Sequence, residues 1–147
     1  MQFNLATQED IPALCDLLAL LFAQESEFTP NRDVQSRGLQ HIMANPALGA
    51  ILVAREQARP IAMINLLFTI STALGEPVVL LEDFVVSPFY RSRGVGARLC
   101  NYAIEFAQER GCKRLTLLTD DTNADAQRFY QSQGFVRSNM VVFRREI

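Results

Sequence analysis

The sequence predicts a mixed α/β fold, in which a central, largely antiparallel twisted sheet is flanked by helices. Three observations lead to this expectation. Segments rich in β-branched and large apolar residues follow one another through the middle of the chain. Apolar residues recur at helical spacing near the start, and helix-like and strand-like segments alternate in the second half. Consecutive strands favour antiparallel pairing, whereas a helix that joins two strands favours a parallel pair.

The chain is predicted to begin with a strand and two helices. Residues 2–5 alternate polar and apolar side chains, as a short strand does. Thr7 and Asp10 then resemble a capping box, in which a hydroxyl and an acid three residues later satisfy free N–H groups of a helix start. The apolar side chains that follow repeat at helical spacing until Pro30 breaks the pattern. A weaker helix is predicted from about residue 32 to residue 43.

The remaining elements follow from composition and from turn residues. Gly111 and Gly134 stand where a left-handed residue would end each of two helices. The predicted strands are 49–55, 61–71, 78–86 and 114–119, and the predicted helices are 95–110 and 125–133. The segment 135–144 is expected to close the sheet as one or two strands.

Size and composition favour one soluble domain over residues 1–147. Apolar residues make up 49% of the chain, and the net charge of -2 argues against a nucleic-acid partner. No apolar run approaches the roughly 18 residues that a membrane helix needs, and no signal peptide is evident. Three scattered cysteines suit reduced thiols in the cytoplasm better than disulfides or a zinc site. No set of His and Cys has metal spacing, so no metal is expected.

The stretch 91–97, between a strand and a helix, indicates an anion site. A helix start leaves N–H groups unpaired and presents a positive dipole end, and Gly94 and Gly96 would let an anion approach closely. Arg91, Ser92 and Arg93 add positive charge and a donor, so a pyrophosphate cradle is one interpretation. A simple strand-to-helix turn is the other. A dinucleotide-binding turn or a nucleoside triphosphate loop fits poorly, because the further glycine or the Gly-Lys-Ser/Thr ending is missing.

Two motifs resemble those of the GCN5-related N-acetyltransferases (GNAT). Residues 85–99 read VVSPFYRSRGVGARL and resemble motif A, with Arg91, Gly94 and Gly96 at its defining positions. Residues 123–135 resemble motif B, with an initial Asn, a Phe-Tyr pair and a terminal Gly-Phe. Their order and spacing are those of the family, and residues 81–84 also resemble the branch that acetylates small amines.

The resemblance implies acetyl-coenzyme A as cosubstrate. In the family, backbone N–H groups of the motif A loop hold the pyrophosphate, and the pantetheine arm adds to the preceding strand, which usually carries a bulge and splays from its neighbour. The implied coenzyme-binding residues are Phe84, Val85, Val86, Arg91, Ser92, Arg93, Gly94, Val95, Gly96, Ala97, Asn123 and Tyr130. As a bare residue, Asn123 would equally be a helix cap.

The resemblance also implies an acid and a base. Tyr130 matches the tyrosine that protonates the departing thiolate, and a tyrosine with its ordinary pKa of about 10 carries the proton at neutral pH. Glu82 is the preferred base, with Asp83 or a water chain as alternatives, because only one of two successive residues in a regular strand would face the cleft. Either acid could instead be structural. Glu25 and Glu27 could attract a cationic amine, although ordinary solvated charge explains them as well.

The predicted activity is therefore transfer of an acetyl group from acetyl-coenzyme A to a primary amine of a small molecule, by direct attack in a ternary complex. Acetylation of a protein lysine or N-terminus is an alternative, and a non-catalytic acyl-coenzyme A-binding regulatory domain is an alternative of another class. A cytoplasmic homodimer is expected, for which the apolar residues 140–143 could supply an interface. No membrane partner is expected.

Overall fold

The structure is a computed structural model that describes residues 1–24 and 29–147. Its strands are β1 (Gln2–Leu5), β2 (Gly49–Glu56), β3 (Arg59–Ser71), β4 (Glu76–Val86) and β5 (Leu115–Leu117). Its helices are α1 (Ile11–Gln24), α2 (Arg32–Met43), α3 (Val95–Glu109) and α4 (Ala124–Ser132), with short 3-10 turns at Gln8–Asp10 and Pro88–Tyr90. Each predicted helix is present with ends close to those expected.

The five strands form one open sheet in the order β1-β2-β3-β4-β5. The first three pairings are antiparallel, and β4 pairs with β5 in parallel across α3. The predicted fold class, a largely antiparallel sheet with a parallel pair where a helix intervenes, is confirmed. None of the described helices is long and apolar enough to cross a membrane.

Each face of the sheet has its own apolar core. On one face, Val95, Leu99 and Ala103 of α3 pack on residues from β2, β3 and β4. On the other face, α1 and α2 pack on a second cluster that includes Met63 and Val85. Side chains alternate between the faces along each strand, so the face of any residue can be assigned from the core that its neighbours join.

The alternation is broken in β4 by a bulge. Asn65 of β3 is paired with Glu82, but Met63 is paired with Val85, so two residues of β4 stand opposite Ile64 alone. Asp83, within the bulge, has a left-handed backbone with φ of 52°. Such an extra residue bends its strand and redirects the side chains beside it.

The bulge coincides with the point where two strands separate. The β4–β5 pairing ends at Leu81 and Leu117. Beyond Leu81, this edge of β4 has no partner among the described strands, which leaves an opening flanked by Glu82–Val86.

The prediction of one or two strands in 135–144 is wrong. Residues 135–147, all of them described, form no strand. Met140 is 89% exposed and Phe143 is 94% exposed, so the apolar side chains of the segment are not in the core. Strand propensity predicted pairing here, but a strand exists only where a neighbouring strand satisfies its backbone, and none of the described strands pairs with this segment.

An ion pair anchors the start of the chain to β2. The Asp10 carboxylate accepts from the Arg55 guanidinium at 2.6 and 2.5 Å and from the backbone N–H of Thr7 at 2.7 Å. The last of these bonds is half of the predicted capping box. Asp10 and Arg55 are nearly buried, with 9% and 11% of their side chains exposed.

Candidate active site

The loop that precedes α3 presents backbone donors at a helix start. Its Ser92 and Gly94 both have left-handed backbones, with φ of 59° and 76°. The first backbone bond of the helix runs from Arg98 N–H to Gly94 C=O, so the N–H groups of residues 95–97 precede the helical ladder. A loop with left-handed residues that leads into a helix start directs free backbone N–H groups to one side, which suits an anion.

The glycines of this loop have different roles. At Gly94 the positive φ strains any residue with a Cβ, so the turn itself requires glycine. At Gly96 the backbone is ordinary, and an added Cβ would lie 3.6 Å from Phe84, Val86 and Phe129. These are ordinary van der Waals distances, so packing does not require glycine at position 96, and the room that Gly96 leaves for an anion stays a prediction.

The two arginines of the loop are held by protein contacts. Arg91 Nε donates to the Val86 carbonyl at 2.9 Å, across the loop to the end of β4. The Arg93 guanidinium lies over the Phe89 ring, 4.4 Å from its centroid. Both positive charges stay beside the loop, where they would favour an anion.

The bulge places both predicted carboxylates on the α1/α2 face of the sheet. Glu82 lies directly opposite Asn65, and such partners share a face. Asp83 accepts a hydrogen bond from Asn65 Nδ2 at 3.1 Å, so it lies on that face too. The expectation that only one of the pair would face the cleft applies to a regular strand, and the bulge removes that condition; the choice of Glu82 as base stays a prediction.

The surroundings of this pair disfavour negative charge. Burial raises the pKa of Glu82, and the neighbouring Asp83 charge raises it further, while Arg144 acts in the opposite direction. Burial also raises the pKa of Asp83, and the hydrogen bond from Asn65 partly offsets that effect. Carboxyl groups with raised pKa values in an opening are characteristic of proton-transfer sites.

Tyr130 lies on the other side of β4. Its ring is 6.2 Å from that of Phe84 and 5.8 Å from that of Phe135, measured between centroids. Phe84 packs with the α3 core, so Tyr130 approaches the bulge from the face opposite to the two carboxylates. The structure thus places the predicted acid and base on opposite sides of the opening.

Asn123 caps α4. Its Oδ1 accepts from the backbone N–H of Ala126 at 3.1 Å, which is the helix-cap alternative that the sequence left open. A coenzyme contact through Asn123 stays a prediction.

Sequence reasoning missed Asn65. This side chain is 3% exposed, and its Oδ1 accepts no hydrogen bond from the described residues. A polar residue within an apolar strand is the signal that could have drawn attention to it.

Two further features lie apart from these residues. A cavity of about 360 Å³, lined by Glu56, Gln57, Arg59, Ile61 and Tyr90, adjoins the loop at Tyr90 and contains no predicted site residue. Glu25 and Glu27 lie outside the described residues. Within the described ranges, no group of three His, Cys, Asp or Glu side chains is arranged to hold a metal ion.

Comparison with known proteins gives a family and several relatives. Residues 11–135 match the model of the acetyltransferase (GNAT) family. The chain is 34% identical over 85 residues to the uncharacterized N-acetyltransferase YhfO of Bacillus subtilis (strain 168), a match that covers 58% of this chain and 57% of that protein. It is 37% identical over 72 residues to an aminoglycoside N(6')-acetyltransferase type 1 of Serratia marcescens, covering 49% of each.

The chain thus spans about half the length of these curated relatives. A solved structure from Agrobacterium tumefaciens str. C58 matches over a greater length. It has a TM-score of 0.85 and 28% identity, and the match covers 99% of this chain and 100% of that one.

Proposed function

The chain belongs to the acetyltransferase (GNAT) family, and from that premise we propose that it transfers an acetyl group from acetyl-coenzyme A to a primary amine of a small molecule, by direct attack in a ternary complex. One observation carries the proposal. The opening between β4 and β5 has a helix start at its end, two carboxylates on one face and a tyrosine on the other. An amine, a thioester and a pyrophosphate each find suitable groups there.

The residues of the opening fit the coenzyme. The loop 91–97 offers the N–H groups of a helix start to the pyrophosphate, with the positive charges of Arg91 and Arg93 beside it. The unpaired edge of β4 along Phe84, Val85 and Val86 offers backbone groups to the pantetheine amides, in the manner of an added strand. Acetyl-coenzyme A would supply the acetyl thioester at the bulge.

The side chains then divide the proton transfers. An ammonium has no lone pair, so Glu82 accepts a proton from the acceptor amine, directly or through water, before the amine attacks. A backbone N–H of β4 stabilises the negative charge that develops on the carbonyl oxygen. As the C–S bond breaks, Tyr130 donates its hydroxyl proton to the departing sulfur, the nitrogen of the new amide releases its second proton to water, and the tyrosinate regains a proton from water.

A small, cationic acceptor is supported by charge and by relatives. Two neighbouring carboxylates on the α1/α2 face attract a cation. A relative that matches half of this chain is an aminoglycoside N(6')-acetyltransferase, whose name identifies an aminoglycoside as its acceptor.

The test of the proposal is calorimetric titration with acetyl-coenzyme A, followed by measurement of coenzyme A release with a panel of small amines and lysine peptides. Turnover of small amines supports the proposal, and turnover of peptides alone favours a protein acetyltransferase. Tight binding without turnover of any amine favours a regulatory acyl-coenzyme A-binding domain. No detectable binding would overturn the proposal altogether.

The role of Tyr130 has its own test. Tyr130→Phe keeps the ring that packs on Phe84 but removes the hydroxyl, so we expect kcat to fall by about 100-fold while the Kd of acetyl-coenzyme A is unchanged. Tyr102→Phe is the matched control, because Tyr102 packs on Phe3, away from the bulge. Equal kcat values for Tyr130→Phe and the unmodified protein would remove Tyr130 from the mechanism.

A cytoplasmic homodimer is part of the same proposal. The exposed apolar side chains of Met140, Val141, Val142 and Phe143 support a contact between two copies, because soluble proteins rarely leave such a run uncovered. Sedimentation equilibrium of the protein and of Phe143→Glu would test it. A dimer that Phe143→Glu dissociates is expected, and a monomeric unmodified protein would contradict it.

A further inference from the structure

Three unfavourable features meet at the bulge, next to the proposed base. Asn65 is 3% exposed, and its Oδ1 has no donor among the described residues, a situation that costs about 1–3 kcal/mol. Asp83 has a left-handed backbone without being glycine. Its carboxylate is also partly withdrawn from water, and burial of such a charge is unfavourable.

The packing of the sheet requires none of these features. On the same face, the neighbouring positions of β3 and β4 are filled by Met63 and Val85, both buried in the α1/α2 core. An apolar residue at position 65 would continue that core and remove the unsatisfied Oδ1, but it would take from the Asp83 carboxylate the donor that Asn65 supplies. The polar pair is therefore explained by what Asn65 does to Asp83.

The contact itself shows the direction of this effect. Asn65 Nδ2 donates to Asp83 Oδ2 at 3.1 Å, from the strand that fixes the bulge. A donor to a carboxylate favours its charged form and restricts its rotation. Glu82, the next residue along β4 and the cross-strand partner of Asn65, feels the resulting charge.

We propose that Asn65 is a positioning residue for proton transfer at this site: it holds Asp83 in place and ionised, and Asp83 in turn keeps Glu82 ready to accept a proton from the acceptor amine. The inference rests on the proposed function. Asn65 touches neither substrate in this scheme and acts only through the two carboxylates.

The charges around Glu82 support this arrangement. From its own strand Asp83 opposes ionisation of Glu82, and from the C-terminal segment Arg144 favours it. From α1, the core that covers this face contributes Cys15, a buried thiol whose pKa burial raises, so it is neutral. From α4, Tyr130 lies behind Phe84 on the other face. A base works best when its pKa lies near the working pH, so a charged neighbour that raises the pKa of Glu82 strengthens it.

The direct test is a titration of the carboxyl groups by 13C NMR in the full chain, with Glu82→Gln and Asp83→Asn used for assignment. In Asn65→Ala, Asp83 loses its donor, so we expect its pKa to rise and Glu82 to titrate at lower pH. In Asp83→Asn we expect Glu82 to titrate lower by roughly one pH unit, since its like-charged neighbour is gone. Asn tolerates a left-handed backbone, so this variant should fold even where Asn65→Ala does not.

The same titration can overturn the proposal. Unchanged titration of Asp83 in Asn65→Ala, or of Glu82 in Asp83→Asn, contradicts it. This measurement needs neither acetyl-coenzyme A nor an acceptor, so it decides the role of Asn65 even if every amine fails as a substrate. Failure of the proposed function would instead appear as absent coenzyme binding or absent turnover in the unmodified protein.

With an active acceptor, the pH profile of kcat/KM gives a second readout. Asn65→Ala should lower kcat/KM about 10-fold and move its acidic limb to lower pH. Thr69→Ala, at an exposed position of the same strand, is the control and should leave the limb in place. Limbs that coincide in all variants would show a merely structural role and overturn the proposal.

Discussion

Two aspartates of this chain are withdrawn from water, and their surroundings are opposite. Asp10 accepts three strong bonds, two from the Arg55 guanidinium and one from a backbone N–H. Asp83 accepts one bond from Asn65 and sits beside Glu82, in a strained backbone. The Arg55 guanidinium holds the pKa of Asp10 below its ordinary value, whereas burial raises that of Asp83.

The difference separates a structural carboxylate from one that the fold does not need. Around Asp10, every surrounding group compensates the burial of charge, so the ion pair joins the chain start to β2. Around Asp83, the burial of charge is compensated only in part, so an unfavourable interaction remains at the edge of the opening. Incomplete compensation beside a cleft is the pattern expected where charge must change during a reaction.

The largest effect is expected where compensation is complete. Arg55→Ala leaves the Asp10 carboxylate buried without its partner, so we expect the free energy of unfolding to fall by about 3–5 kcal/mol, measured by urea denaturation. The fall is a large share of the total stability of a domain.

A surface ion pair provides the matched control for this change. Arg32 donates to Asp16 at 2.9 Å, but 57% and 58% of these two side chains are exposed. Arg32→Ala should therefore cost no more than about 1 kcal/mol. Equal losses of unfolding free energy in Arg32→Ala and Arg55→Ala would mean that the Asp10–Arg55 pair does not owe its stabilising effect to burial.

A smaller effect should separate the aspartates themselves. Asp10→Asn weakens charge-assisted bonds that hold the chain start, so we expect a loss of about 1.5–3 kcal/mol. Asp83→Asn removes an incompletely compensated charge and keeps a side chain that tolerates positive φ, so stability should stay within about 0.5 kcal/mol or rise. Thermal and urea unfolding of both variants would measure this, and a comparable loss in Asp83→Asn would break the distinction.

The sequence predicts one of these environments better than the other. The bond between Thr7 and Asp10 is local, so a capping-box pattern reveals it. Arg55 lies 45 residues away from Asp10, and nothing in the local sequence pairs them. The order of elements up to α4 was likewise predicted from periodicity, and the glycine turn before α3 from its motif.

The consequences of the bulge for nearby side chains could not be predicted from the sequence. The alternation of side chains along a regular strand allowed only one of Glu82 and Asp83 to face the cleft. The bulge changes this, and it could not be foreseen because a register shift is a property of two paired strands and not of either sequence. Asn65 was missed for the same reason, because its role depends on the residues of β4 that lie opposite it. Residues 135–144 were predicted as strand from propensity, which does not say whether a partner edge is available. The single-domain organisation of 1–147 stays a prediction.

The smallest expected effect is on the pH dependence of stability, and it has opposite signs at the two sites. Asp10 has a lowered pKa in the folded state, so its contribution is present above the unfolded pKa of about 3.9 and is lost as pH falls through the folded value. Asp83 and Glu82 have raised values, so the folded state binds protons more tightly there, and stability is lost as pH rises through their folded pKa values. Urea denaturation at a series of pH values gives the free energy of unfolding as a function of pH. Compared with the unmodified protein, this free energy should change less with pH above about pH 4 in Asp83→Asn, and less below about pH 4 in Asp10→Asn. Parallel profiles for the two variants would mean that the aspartates are compensated alike, and the functional interpretation of the bulge would lose its electrostatic basis.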